Sequence, residues 1–247
     1  MPLSDEDKQK QQRLKANFVR YAAECLNIRA KDGTIVPFVL NDIQKRLHAT
    51  AEDQLKRTGR VRLLVLKARQ PGVSTYVEGR FYHLATHIKG LRAFILTHKD
   101  EATDNLFEMA KRFQALCPEF VRPRVTASNA KELKFGALNS SYKVGTAKAE
   151  GVGRSDTIQL FHGSEVAHWP NAEKHAAGAL QAVPNTPGTE IFELGIPQFN
   201  SRGHIGKLRG SLVRTDQKYA SELAGKHILP GAPIGENHAI GIPPYSG

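Results

Sequence analysis

Short apolar runs alternate with longer segments of helical spacing through the middle of this 247-residue sequence. Such runs predict strands, and apolar residues that recur every three or four positions predict helices. This order predicts an α/β fold with a mostly parallel sheet and helices on both faces. The predicted strands are 61–66, 91–97, 157–162 and 189–194, and the predicted helices between them are 74–88, 101–115 and 171–182.

The first 60 residues predict a helical segment in front of this sheet. Ser4, with Asp7 three residues later, predicts the start of a first helix. Its predicted apolar face consists of Leu14, Phe18, Tyr21 and Cys25. A second helix is predicted over Asp42–Thr58, and a hairpin is predicted over 131–146 around Asn139-Ser140-Ser141.

The segment after the first predicted strand reads Lys67-Ala-Arg-Gln-Pro-Gly-Val-Ser-Thr75. It is an altered form of the phosphate-binding pattern G-x-x-x-x-G-K-[ST], because Lys67 holds the first glycine position and Val73 holds the lysine position. Backbone N–H groups at a helix N-terminus still favour phosphate, and Ser74 can reach Mg²⁺. An ordinary basic turn is the alternative. The residues expected to hold a nucleotide here are Lys67, Arg69, Gln70, Gly72, Val73, Ser74 and Thr75.

An acidic residue follows the third predicted strand, where the chain reads Gly163-Ser164-Glu165. The usual ATPase pattern has Asp-Glu after four apolar residues, so Ser164 replaces the Asp. Glu165 is the candidate general base that polarises a water for attack on the γ-phosphate. Ser164 can support Mg²⁺ only weakly, directly or through water. A solvent-facing Glu at a loop start is the alternative.

Several motifs in this order resemble the ATPase domain of a tailed-phage large terminase, the motor that pumps DNA into procapsids. They are the loop 67–75, Gly153-Arg154-Ser155, the strand 157–162 and the stretch Gly-Ser-Glu-Val-Ala-His-Trp at 163–169. The resemblance covers residues 38–194. It rests on the order of the motifs, since no single motif is specific.

The resemblance implies a P-loop NTPase fold of the RecA/ASCE type, with ATP and Mg²⁺ as cofactors. It implies that Gln44 reads adenine, because an amide can donate to and accept from the base edge. It also implies that Arg154 is an arginine finger for a neighbouring subunit's ATP in a homo-oligomeric ring, while Arg69 could act within its own subunit. An exposed Gln and a solvated loop Arg are the alternatives.

Composition favours a polyanionic partner. The formal charge of +11 and the pI of about 9.7 fit contact with the phosphates of double-stranded DNA. Aromatic content of 7% disfavours a stacking platform for single strands. The two cysteines offer neither a disulfide framework nor a zinc spacing, and no apolar run approaches the ~20 residues of a membrane span.

The end of the chain differs from the rest. Its last 18 residues contain four Pro and four Gly, which predicts poor packing. Only Asp216, Glu222 and Glu236 are acidic after Leu194, so no nuclease domain is predicted. The coupling motif of large terminases is also missing after Leu194, and a shifted reading frame or a truncation is one hypothesis for this. The predicted divisions are 1–60, 61–195 and 196–247.

The sequence therefore predicts an ATP-hydrolysing motor domain that powers packaging of double-stranded DNA. The resemblance implies a portal protein and a small terminase subunit as partners, and the host cytoplasm rather than the virion as the location. The alternative is a basic module that binds nucleic acid or a terminase partner without turnover. A helicase-like ATPase lacks a visible second motor domain, and a structural phage protein does not explain the loop paired with Glu165.

Overall fold

The computed structural model describes residues 4–66, 72–147, 157–169, 180–195 and 238–241. The helices are α1 (Asp5–Ala16), α2 (Phe18–Cys25), α3 (Asp42–Thr58), α4 (Val73–His87) and α5 (Asp100–Leu116). The strands are β1 (Asn27–Arg29), β2 (Ile35–Pro37), β3 (Val61–Leu66), β4 (Arg92–Thr97), β5 (Ala127–Ser128), β6 (Glu132–Phe135), β7 (Ser140–Thr146), β8 (Leu160–Gly163), β9 (Glu190–Gly195) and β10 (His238–Gly241). Short 3-10 turns lie at Gly136–Leu138 and Val166–His168.

Eight of these strands form one sheet in the order β10-β3-β9-β8-β4-β7-β6-β5. Neighbouring strands from β10 to β7 pair in parallel, and β6 and β5 complete the sheet as an antiparallel edge. This arrangement confirms the predicted mostly parallel α/β sheet. Strand β9 lies between β3 and β8, so the ends of β3 and β8 are about 10 Å apart.

Each face of the sheet packs against its own apolar cluster. Alternate residues of the strands, among them Ile95 and Phe192, join a large core with α3, α4 and α5. The opposite residues, among them Phe94 and Phe161, pack with Trp169. Because successive side chains in a strand point to opposite faces, the central strands are buried on both sides.

Helix α4 lies in the middle of the first core and is buried on nearly all sides. Gly79 lets it approach the N-terminal segment closely, since a Cβ there would lie 2.9 Å from the Phe38 ring. Arg80 on this helix forms two 2.7 Å hydrogen bonds with the Glu190 carboxylate of β9. Burial alone would lower the pKa of Arg80, but the Glu190 carboxylate outweighs it and holds that pKa above its usual value. The pair therefore ties the helix to the sheet.

The N-terminal segment differs from the prediction in its helices. The single predicted helix is interrupted at Asn17, whose backbone is extended and whose side chain accepts a hydrogen bond from Arg20 N–H at 2.9 Å. The cause is this local cap, which competes with the continuous helix. All four predicted apolar residues are buried nevertheless. The antiparallel pair of β1 and β2 was not predicted from the sequence.

Other element boundaries differ by a few residues. Ile88, the last residue of the predicted helix 74–88, follows the last turn of α4 and is 43% exposed. The predicted hairpin is confirmed as β6 and β7, but its turn is a 3-10 turn followed by Asn139 with φ of 49°. Residues 171–179 of the predicted helix 171–182 lie outside the described residues. In the Gly- and Pro-rich end, His238–Gly241 adds a strand beside β3.

Candidate nucleotide-binding site

The first turn of α4 begins at a glycine in the left-handed conformation. Gly72 is the N-cap with φ of 76°, a backbone shape that glycine adopts without steric cost. Gly72 has no side chain that could cap this end, and no acidic residue lies in the first turn. Ser74 and Thr75 are half-buried there. The N–H groups of this turn can therefore receive an anion.

The burial of Val73 explains why this loop has no lysine directly after its glycine. Its side chain is 1% exposed and belongs to the large core beneath α4. A lysine at this position would bury its ammonium group in apolar surroundings, which costs several kcal/mol. Only the backbone N–H of Val73 can take part in binding, so a cation for the phosphates has to come from another position.

Gln44 holds the start of α4 against the start of α3. Its Nε2 donates to the Gly72 carbonyl at 2.7 Å, and its Oε1 accepts from Asn41 N–H at 2.9 Å. Asn41 Oδ1 in turn accepts from Gln44 N–H at 2.9 Å, which completes a capping box. Gln44 is 3% exposed. Its amide therefore joins two helix N-termini, a role that the sequence did not predict.

Glu165 lies in a tight turn at the end of β8. Its φ of 56° and ψ of 43° are left-handed, which is uncommon for a residue with a side chain. The turn is held by the hydrogen bond from His168 N–H to Glu165 O at 2.9 Å and by Trp169 Nε1–H, which donates to Ser164 O at 2.9 Å. A Cβ at Gly163 would lie 2.9 Å from Val166, so only glycine fits before this turn. Left-handed residues of this kind cluster at functional sites.

Two histidines lie close to the Glu165 carboxylate. His168 Nε2 is 3.8 Å from Glu165 Oε2, and the His98 ring is centred 5.8 Å from that of His168. Burial lowers the pKa of His98, while the nearby Glu165 carboxylate acts in the opposite direction. His98 Nδ1 is buried and has no hydrogen-bond partner among the residues that the structure describes. His98 was not predicted as a site residue, because it follows a strand without any motif around it.

A buried polar network connects the strand of Glu165 with the helix of Gly72. Glu78 of α4 accepts a hydrogen bond from Tyr142 O–H, and its other oxygen lies 2.5 Å from His162 Nδ1. All three side chains are fully buried. The sequence could have predicted this network, because it places polar residues inside an apolar helix and a buried strand, where such residues need hydrogen-bond partners.

The structure brings most predicted site residues to one edge of the sheet. Ser74 and Thr75 follow β3 through the loop, Ser164 and Glu165 follow β8, and both strands end at this edge. Ser164 is 6% exposed, and its N–H donates to Leu96 O at 2.8 Å. Lys67, Arg69, Gln70 and Arg154 lie outside the described residues.

The oxygen atoms at this edge suit Mg²⁺. Mg²⁺ keeps several waters and binds one or two protein oxygens together with substrate phosphates, so the Ser74 hydroxyl fits it, and the Ser164 hydroxyl can support it more weakly. Among the described residues, no group of three His, Cys, Asp or Glu side chains could hold a metal ion by itself. No helix in the described part of the chain is both long and apolar enough to cross a membrane.

Comparisons with known proteins agree with this architecture. No family model matches the sequence, and no curated protein does. The HK97 bacteriophage large terminase is similar in structure, with a TM-score of 0.56 and 16% identity over 75% of this chain and 37% of that chain. The ATPase domain of the Thermus phage P74-26 large terminase gives a TM-score of 0.57 and 11% identity over 83% of this chain and 81% of that domain. The present chain therefore has the fold of phage large-terminase ATPase domains.

Proposed function

We propose that this chain binds Mg²⁺-ATP and hydrolyses it as a motor domain of the phage DNA-packaging type. One observation carries the proposal: a helix N-terminus that starts at a left-handed glycine, Gly72, lies at the same edge of a parallel sheet as the left-handed Glu165. Ligands bind such sheets beyond the carboxyl ends of the strands. The likeness in fold to terminase ATPase domains supports the same function.

The triphosphate would lie on the first turn of α4. Backbone N–H groups from Gly72 to Thr75 stabilise its negative charge, and Ser74 holds Mg²⁺. Because Val73 is buried, the required cation comes from the loop before Gly72. Lys67 and Arg69 are the cations proposed for this role, and Gln70 adds a hydrogen-bonding side chain.

Glu165 would activate the attacking water. Its carboxylate is 21% exposed, and it is held by a turn whose backbone is fixed by Trp169 and His168. A positioned carboxylate lowers the cost of removing a proton from water as the water attacks. When bound, Mg²⁺ neutralises charge on the phosphates, and Ser164 supports it from the neighbouring position.

The partners of this motor follow from its charge and from the fold. The net charge of +11 suits a polyanion, and double-stranded DNA is the proposed substrate for translocation. Arg154 would complete the site of a neighbouring subunit in a ring, so we expect slow turnover by a single subunit. A portal protein, a small terminase subunit and a location in the host cytoplasm complete the proposal.

The competing function is a basic binding module that does not turn over ATP. Isothermal titration with Mg²⁺-ATP separates the two, since the motor requires binding that Lys67→Ala weakens. Glu165→Gln should then abolish phosphate release and preserve ATP affinity within about twofold, because it removes the base without removing a phosphate ligand. Glu119→Gln, an exposed acid outside this edge, is the matched control. Unchanged phosphate release by Glu165→Gln would remove this residue from its role.

A further inference from the structure

Strand β8, which leads into Glu165, contains a buried histidine. His162 is fully buried and lies three residues before Glu165. In the sheet it pairs with Ile95 of β4 and Phe192 of β9, so its side chain points to the face that packs against α4. Burying a polar ring at this position costs free energy unless the ring has a hydrogen-bond partner.

The partner of His162 is Glu78 of α4. Glu78 Oε1 lies 2.5 Å from His162 Nδ1, and the other carboxylate oxygen accepts a hydrogen bond from Tyr142 O–H. Burial raises the pKa of Tyr142, so its hydroxyl stays protonated and donates. His162 Nε2 is buried and has no hydrogen-bond partner among the residues that the structure describes. This arrangement fits a ring whose proton is on Nδ1 and is donated to Glu78.

The Glu78–His162 hydrogen bond lies between the two halves of the proposed site. Ser74 lies four residues before Glu78, which is about one turn of α4. In the described sheet β9 separates β3 from β8, so the backbone hydrogen bonds of β3 do not reach the strand of Glu165. The bond from Glu78 to His162 is therefore a direct link between the helix that receives the phosphates and the strand that carries the general base.

A second buried link between α4 and the sheet lies farther from the site. The Arg80 guanidinium binds Glu190, which is the first residue of β9. His162 is instead the third of the four residues of β8. Of these two links, the one through His162 is the closer to the edge of the sheet where Glu165 lies.

We propose that His162 is a positioning residue for ATP hydrolysis, and that its hydrogen bond with Glu78 fixes the Glu165 carboxylate relative to the phosphate-binding turn. The inference rests on the proposed function. His162 acts through Glu165 and touches neither ATP nor the attacking water. Moving a catalytic group by about 1 Å can slow a reaction by about 10²-fold. Loss of this hydrogen bond therefore slows hydrolysis and leaves ATP binding unchanged.

The test compares His162→Leu with His162→Asn in the full chain. Leucine cannot donate to Glu78, whereas the asparagine amide nitrogen is bonded to Cγ, as Nδ1 of histidine is, and can donate in its place. Phosphate release at saturating Mg²⁺-ATP gives kcat, and isothermal titration gives the ATP affinity. His162→Leu should lower kcat by about tenfold or more and keep ATP affinity within about twofold, and His162→Asn should keep kcat within about threefold.

Tyr142→Phe is the matched control. It removes the other hydrogen bond to Glu78, but Tyr142 belongs to β7, which is separated from β8 by β4. Its kcat should stay within about twofold of the unaltered chain. A role in packing alone predicts the reverse order of the two His162 variants, since asparagine is smaller and more polar than leucine in this apolar core.

A triple variant keeps the test decisive if His162→Leu does not fold. Glu78→Met/His162→Leu/Tyr142→Phe removes the whole network, so no buried polar partner is left unsatisfied and the cost in stability is small. It should show the same loss of kcat.

Three results would overturn the proposal. They are an unchanged kcat in the folded leucine or triple variant, an equal loss of kcat in His162→Asn and His162→Leu, and an ATP affinity that falls by the same factor as kcat. If the unaltered chain and Glu165→Gln release phosphate at the same rate, the proposed function itself fails, and the role of His162 fails with it.

Discussion

Replacing Gln44 by glutamate tests whether the Gln44 amide holds the N-termini of α3 and α4 together. The new side chain keeps the shape and the oxygen that accepts from Asn41 N–H, but it cannot donate to Gly72 O while it is ionised. Losing that 2.7 Å hydrogen bond costs about 1 kcal/mol, and a buried charged oxygen without a donor costs about 2 kcal/mol more. Gln44→Glu should therefore lower the free energy of unfolding by about 3 kcal/mol at pH 7.5.

The pH dependence of this variant is a sharper part of the same prediction. Burial beside a carbonyl raises the pKa of the introduced carboxyl in the folded state, so the stability deficit is largest at high pH and decreases as pH falls. A protonated carboxyl can donate to Gly72 O again, and the deficit should fall to about 1 kcal/mol at pH 5.

Urea unfolding at pH 7.5 and pH 5 measures both values. Gln12→Glu is the matched control, because Gln12 is exposed on α1 and undergoes the same change in charge. It should alter stability by less than about 0.5 kcal/mol at either pH. A Gln44→Glu variant as stable as the control at pH 7.5 would refute this role of the Gln44 amide.

Three further perturbations follow from buried groups. Burial lowers the pKa of His83 to about 3. His83 therefore does not affect the free energy of unfolding above the usual histidine pKa, and it lowers that free energy increasingly as the pH falls below that value. His83→Gln should reduce the loss of stability between pH 7.5 and pH 5 by about 2 kcal/mol in urea unfolding, and parallel pH profiles would contradict this. Glu190→Ala should cost about 3 kcal/mol because it removes the buried partner of Arg80 and leaves only the exposed Glu52 carboxylate beside that guanidinium. Asp53→Ala breaks an exposed pair and should cost less than about 1 kcal/mol, and similar losses in calorimetry would refute the difference. Gly163→Ala should slow ATP hydrolysis more than it weakens ATP binding, because its Cβ displaces the turn that carries Glu165; equal turnover with the parent would show that the turn tolerates the methyl group.

The sequence predicted the elements whose pattern is local. Apolar runs and helical spacing located β3, β4, β8 and β9 to within a few residues, because strand and helix periods are visible along the chain itself. The break at Asn17 and the pair β1–β2 were missed, since a side-chain cap and a three-residue strand leave only a weak pattern.

The candidate site was predicted in part. The sequence located the glycine before α4 and the acid after β8, because both lie at strand–helix boundaries with recognisable motifs. The roles of Lys67, Arg69, Gln70 and Arg154 stay predictions.

By itself, the amino-acid sequence determined an alternating α/β chain with a glycine and a carboxylate after two buried strands, since side-chain periodicity and turn chemistry act between near neighbours. Only the tertiary structure decided that β9 separates those strands and that the Gln44 amide is already used by Gly72. These relations join residues that are from 28 to more than 90 positions apart. Packing brings such residues together, and no periodicity along the chain records it.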